Sequence, residues 1–262
     1  MGYGDEIVAA GEAQRWFDAT GKRSVIVDRD GRRRWHPIWE GNPIIVRPGE
    51  DAGDYYTIMN AAYCRPYIVY PFTAERGWVF NRGFKCREHI AKIYLTDDER
   101  HIGATTRMTY GRYVLIEPWS KHVNLRWPRE YWQQLVRTLS HITFVQHTHP
   151  QTDYVIDGAI PVPATFRDAC GLLMTAALYV RGESGMCHAA AALGRPQLTI
   201  WGACMDADVM AYYPQQLVVD NFGDQPPCGS WKPCDHCAAA MRGISVERVA
   251  QWVDAAWDSA TH

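Results

Sequence analysis

The sequence predicts an α/β protein with a doubly wound parallel sheet in its C-terminal half. Three observations carry that prediction. Four short apolar runs alternate with helix-patterned segments between residues 110 and 202; a small-residue turn sits where one run meets the next helix; and no internal repeat argues for another architecture. At 262 residues with 47% hydrophobic and 21% charged content, the chain can bury one large core or two modest ones. The net charge of -2 argues neither for a general nucleic-acid binder nor for an acidic tail, and leaves a local basic patch open. No window nears roughly 18 consecutive apolar residues, and MGYGDEIVAAGEAQ lacks the basic end and apolar core of a signal peptide. A cytoplasmic location is therefore the default expectation.

The elements follow in order. A glycine turn leads into a helix from Glu6 to Ala19, stopped by Gly21, and SVIVDRD is a short buried strand. Helix before strand is half of an α/β unit whose first strand would precede Gly2. WHPIWEGNPIIV gives a turn at Gly41-Asn42-Pro43 and then a strand. Between Arg47 and Met108 the pattern is broken by Gly and Pro, and no element is assigned. RYVLIEPWS is a strand, PREYWQQLVRTLS a helix with Pro128 in its first turn, and ITFVQHT the next strand. TFRDACGLLMTA, ALYVRGE, GMCHAAAALG and PQLTIWG continue as helix, strand, helix and strand, and residues 245–258 form a last amphipathic helix.

In a doubly wound sheet ligands lie beyond the carboxyl ends of the strands, where each meets the next helix. YVRGESGMCHAAAALG is such a junction. Gly182 and Gly185 allow a sharp turn and close approach to a ligand, Ser184 caps the helix, and its free N–H groups and dipole favour a phosphate. His188 stands one turn in, ready to donate to that anion. A tight turn with a buried histidine is the plain alternative, because the spacing is neither G-x-G-x-x-G nor a P-loop.

GESGMCHAAAALGRPQLTIWG resembles the signature of glycosyltransferase family 9, the ADP-heptose:lipopolysaccharide heptosyltransferases. Three further stretches agree in order: GYGDEIVAAGEAQRW, VLIEPWSKHVNLRWPREYWQQL and PPCGSWKPCDHCAAAMRGISVERV. The resemblance implies a compact, divergent member with a GT-B architecture, two Rossmann-like domains facing a cleft. The N-terminal, acceptor-side domain (1–109) is reduced, and the C-terminal domain (110–262) binds the nucleotide-sugar, its last helix returning to the N-terminal one. It implies inverting, metal-independent transfer of a sugar from a nucleoside-diphosphate sugar to an acceptor hydroxyl of a surface glycan or lipopolysaccharide. Asp5 matches the carboxylate that deprotonates the acceptor, a role otherwise open to a simple first-turn carboxylate.

For the donor diphosphate the resemblance points to Ser120, Lys121 and Arg126, to Glu183, Ser184, Gly185, Met186, Cys187 and His188, and to Trp201 and Gly202 at the following strand end. A pyrophosphate leaving without a metal needs cationic or helix-end compensation. Two departures stand out: Leu125 replaces the usual Lys, and Glu183 replaces the usual Asp. Cys228, Cys234 and Cys237 form C-x5-C-x2-C, which His236 or Cys204 would complete as a structural zinc or iron site, unpaired thiols being the alternative. Trp35, Trp39, Tyr55, Tyr56, Tyr67 and Trp78 lie among Arg32 to Arg34, Arg82, Lys85 and Arg87, a mixture suited to an acceptor site or to a packed surface. Two other functions stay open: transfer to hydroxymethylated bases of phage DNA, motivated by those arginines, and a non-catalytic nucleotide-binding scaffold.

Overall fold

The structure, a computed structural model, describes residues 2–51, 53–70, 77–222 and 226–259. The chain opens with α1 (Tyr3–Thr20), which starts earlier than its apolar periodicity predicts. The Gly2 N–H donates to the Asp5 carboxylate at 2.9 Å, closing the first turn, and Gly21 ends the helix at φ 70°. β1 (Arg23–Val27) follows as expected, but PIIV does not become a strand: Ile44 to Val46 are buried, and Ile45 makes only an isolated bridge to Ser24. β2 (Tyr55–Met59), parallel to β1, and α2 (Asp97–Tyr110) lie in the stretch where the sequence shows no clear period.

Beyond residue 110 come β3 (Val114–Glu117), α3 (Arg129–Thr138), β4 (Phe144–Thr148), β5 (Ile160–Pro163), α4 (Phe166–Thr175), β6 (Leu178–Gly182) and α5 (Gly185–Ala192). β7 (Gln197–Trp201), the short α6 (Ala207–Met210), β8 (Gln216–Asp220), α7 (Asp235–Arg242) and α8 (Val246–Ser259) complete the chain. The strands of this half form one parallel sheet in the order β5-β4-β3-β6-β7-β8. The four strands read from the sequence are its centre. β5, whose alternate prolines hide it, is tolerated because it is an edge strand.

Period two divides the two cores. Leu115, Val145 and Tyr179 face α1, α4 and α5, whereas Val114, Ile116, Phe144 and Val180 face Trp132, Leu135 and Val136 of α3 and Val246, Val249 and Val253 of α8. The last helix, expected to return to the N-terminal domain, packs on α3, β6 and β7, where its valines complete the outer core. The N-terminal part reaches the sheet instead through α1, which crosses α5, and α2, which packs on α4.

Candidate active site

The strand order reverses between β3 and β6, so the crevice beyond their carboxyl ends is where such a sheet receives ligands. A cleft of about 1530 Å³ opens there. Its walls come from the loops after β3 and β4, the turn into α5, the start of α1, and Tyr67 and Trp78 of the N-terminal part.

The turn into α5 behaves largely as its sequence predicts. Ser184 accepts the Met186 N–H at 3.1 Å, capping the helix at the cleft. Gly185 lines the cleft and also serves packing: a Cβ there would stand 2.9 Å from Gly4 N, so the missing side chain admits α1. This contact places the start of α1 at the α5 N-terminus. His188 lines the cleft and is buried; its Nδ1 lies 2.6 Å from the Tyr213 hydroxyl and its Nε2 3.9 Å from Glu183. Burial pushes the imidazole down to about 4, so it is neutral at physiological pH. When Tyr213 donates to Nδ1, Nε2 is left as an N–H donor on the cleft side. Burial pushes Glu183 the other way, up to about 7, against the opposing pull of Arg181.

Asp5, one residue beyond the Gly4–Gly185 contact, also lines the cleft. Arg65 Nη2 donates to Oδ2 at 3.1 Å, Nε stands 2.8 Å from Oδ1 off the hydrogen-bond direction, and the Tyr67 hydroxyl donates to Oδ1. The side chain keeps 10% exposure, enough to meet an incoming hydroxyl.

Of the other predicted donor contacts, Ser120, exposed Lys121 and Met186 line the cleft, and four do not. Arg126 turns back to donate to the Ser120 carbonyl and lies over Trp119, bracing the loop from behind. The buried Cys187 thiol points into the sheet, 3.5 Å from the Gly182 carbonyl. Trp201 donates to the Met205 carbonyl at 2.9 Å, and Gly202 is packed against Met241. These last two end a strand beyond the crevice.

The sequence also hides part of the site. On the cleft floor Glu117 of β3 accepts from Arg181 of β6 and from the Tyr179 hydroxyl at 2.8 Å, and His147 Nδ1 lies 3.6 Å away. Burial alone would raise the Glu117 carboxyl, but Arg181 and His147 hold it down to about 2. Glu117 and Arg181 are paired residues of adjacent strands, a neighbourhood that only the β3–β6 register creates.

Of the arginines and aromatics expected at an acceptor site, only Tyr67 and Trp78 reach the cleft among the described residues, where Tyr3 of α1 joins them. Arg34 pairs with buried Glu6, Arg82 with Asp206, and Lys85 and Arg87 with Asp208. These charges therefore hold the fold together rather than facing an acceptor.

Cys228, Cys234, His236 and Cys237 bring their ligand atoms within 4.8 Å of one another, in a loop leading into α7. His236 Nε2 is buried without a partner among the described residues, and the Cys228 and Cys237 sulfurs lie 3.0 Å apart as free thiols. Three soft sulfurs and an imidazole fit a four-coordinate zinc or iron. Cys204 lies outside the set and directs its thiol to the Ser230 carbonyl at 3.8 Å.

Residues 161–233, from β5 through the cleft turn into the cysteine loop, match the family described as glycosyltransferase family 9 (heptosyltransferase). The resemblance to that family is borne out. No curated protein matches the chain. Solved structures do. A glycosyl transferase family 9 protein from Veillonella parvula DSM 2008 aligns over 98% of this chain and 94% of its own at TM-score 0.67 and 13% identity. The iron-containing dodecameric glycosyltransferase TibC from enterotoxigenic E. coli H10407 aligns over 99% and 74% at 0.65 and 16%. E. coli heptosyltransferase WaaC with ADP aligns over 98% and 97% at 0.56 and 15%. With E. coli ADP-heptose lps heptosyltransferase II the match spans 54% of that chain. At these identities the likeness concerns the fold, which is GT-B: two Rossmann-like domains, the N-terminal one reduced here to a two-stranded parallel sheet among the described residues.

Proposed function

We propose that this protein transfers a sugar, with inversion, from a nucleoside-diphosphate sugar to an acceptor hydroxyl. The observation that carries the reading is that Asp5 and the capped N-terminus of α5 line one cleft at the switch point of the sheet. Residues 1–109 form the acceptor side and residues 110–262 the donor side. The donor diphosphate rests on the N–H groups of Ser184 and Gly185 at the start of α5, with His188 Nε2–H and Lys121 beside it. The Asp5 carboxylate takes the acceptor proton as the acceptor oxygen bonds to the anomeric carbon. The bond to the diphosphate oxygen breaks, its electron pair stays on that oxygen, and the nucleoside diphosphate leaves.

The solved WaaC structure contains ADP, which supports an ADP-linked donor here, and a surface glycan or lipopolysaccharide is the acceptor we favour. Cys228, Cys234, His236 and Cys237 would hold a structural zinc or iron, as TibC contains iron; such an ion cross-links the loop and takes no part in the transfer. No described helix is long and apolar enough to cross a membrane.

Asp5→Asn tests the base. With purified protein, nucleotide-sugars and candidate acceptors, nucleoside-diphosphate release is expected to fall at least about a hundredfold while donor affinity stays within about twofold. Full turnover by the variant would remove Asp5 from the mechanism.

A further inference from the structure

The cysteine loop meets the N-terminal part at Trp78, and a continuous set of contacts leads from there to Asp5. The Gly229 carbonyl accepts the Trp78 N–H at 2.9 Å. A Cβ on Gly77 would stand 2.4 Å from that carbonyl, and one on Gly229 would stand 2.2 Å from Trp78 O. Both glycines have positive φ, at 66° and 57°, so the two segments touch backbone to backbone by means that other residues would block. Trp231 of the loop meets the Trp78 ring edge-on at 4.5 Å.

From Trp78 the path continues inward. The Arg65 guanidinium lies over the Trp78 ring at 5.4 Å, within cation–π range. Val69 N–H donates to the Val79 carbonyl and Asn81 N–H to the Tyr67 carbonyl, an antiparallel pairing that ties residues 67–69 to 79–81. Arg65 and Tyr67 are the two side chains that grip the Asp5 carboxylate. On its far side the loop is fixed by Asn124, which donates to the Ser230 and Lys232 carbonyls and accepts from Cys234 N–H. Cys228 and Gly229 N–H groups donate to the carbonyls of Ala203 and Cys204.

We propose that the cysteine loop positions the candidate base: Trp78 transmits the place of the loop to Arg65, and Arg65 orients Asp5. Trp78 and Arg65 are positioning residues, and the Cys3His cluster is their anchor. The inference rests on Asp5 being the base. It gives the cluster, remote from the chemistry, a purpose in catalysis without a step at any metal. A misplacement of the base by an ångström is enough to slow such a reaction severely.

Hydrogen–deuterium exchange of the full chain, read beside nucleotide-sugar turnover and donor affinity, tests it. Trp78→Ala is expected to raise exchange about tenfold in peptides covering residues 2–8 and 63–69 and to leave the sheet protected. Turnover should fall at least about tenfold with donor affinity within about twofold, and Trp78→Phe, which keeps an aromatic face, should restore most of it. A Cys228→Ser, Cys234→Ser double variant should reproduce the same local exchange pattern. Exchange rising throughout the chain would make Trp78 a general stabiliser, and slow turnover with native exchange at 2–8 would make it a substrate contact. An effect of the cysteine variant confined to residues 226–237 would break the link. Each of these overturns the proposal. If the exchange pattern holds but Asp5→Asn turns over normally, the base assignment fails and the mechanical link stands.

Discussion

Glu183 and His188 stand together at the mouth of α5, and burial drives both toward neutrality: the carboxyl rises to about 7 and the imidazole falls to about 4. A neutral carboxyl is what a diphosphate at a helix N-terminus requires, because an ionised carboxylate there would repel it, while the neutral imidazole still offers one N–H donor. The sign follows directly. Below pH 7 Glu183 is protonated and binding is undisturbed; as pH rises through 7 it ionises and affinity drops. Calorimetry with an intact nucleotide-sugar, whose diphosphate does not titrate in this range, should show affinity falling roughly tenfold from about pH 6 to 8. Glu183→Gln should flatten the profile, and an equal slope in both proteins would show that another group is responsible. Ser184, His188 and Asp5 are legible in the sequence because each belongs to a local pattern at a helix start. Glu117, Arg181 and Arg65 are not, since their partners come from a neighbouring strand or a distant loop.

Element packing is set by small residues that sequence periodicity passes over. α2 and α4 cross where a Cβ on Gly103 would stand 2.0 Å from Gly171 O, and one on Gly171 1.9 Å from Glu99 O. Arg167 of α4 pairs with Glu99 of α2 at the same crossing. Gly171→Ala should therefore force the helices apart and cost about 1–3 kcal/mol, read by urea denaturation. An unchanged midpoint would mean that the crossing relaxes freely. α2 carried a signal that the broken pattern around it obscured: Thr96 and Glu99 form a capping box, each side chain accepting the other's backbone N–H. α5 was legible because its alanines and following Gly-Arg-Pro mark both its packing and its end. β8 and β5 were less so, being edge strands without a continuous apolar run.

At the scale of the molecule, the four central strands of the parallel sheet and the helices between them are readable from alternation alone, whereas the way the N-terminal part closes the cleft is not. That closure depends on α1 crossing α5 at Gly4 and Gly185, on ion pairs from Arg82, Lys85 and Arg87 to the α6 region, and on the cysteine loop. None of these contacts joins residues near in sequence. The result is a large cleft lined by the capped N-terminus of α5, with the neutral His188 behind it, and by the Asp5 carboxylate. The central claim is that a nucleoside-diphosphate sugar occupies that cleft. Calorimetric titration of the unmodified protein and of His188→Ala with ADP, UDP, GDP, CDP and their common sugars tests it most directly. Selective binding of one nucleoside diphosphate and its sugar is expected, weakened about tenfold or more in the variant. Absence of binding by every nucleotide, or binding indifferent to His188, would contradict it.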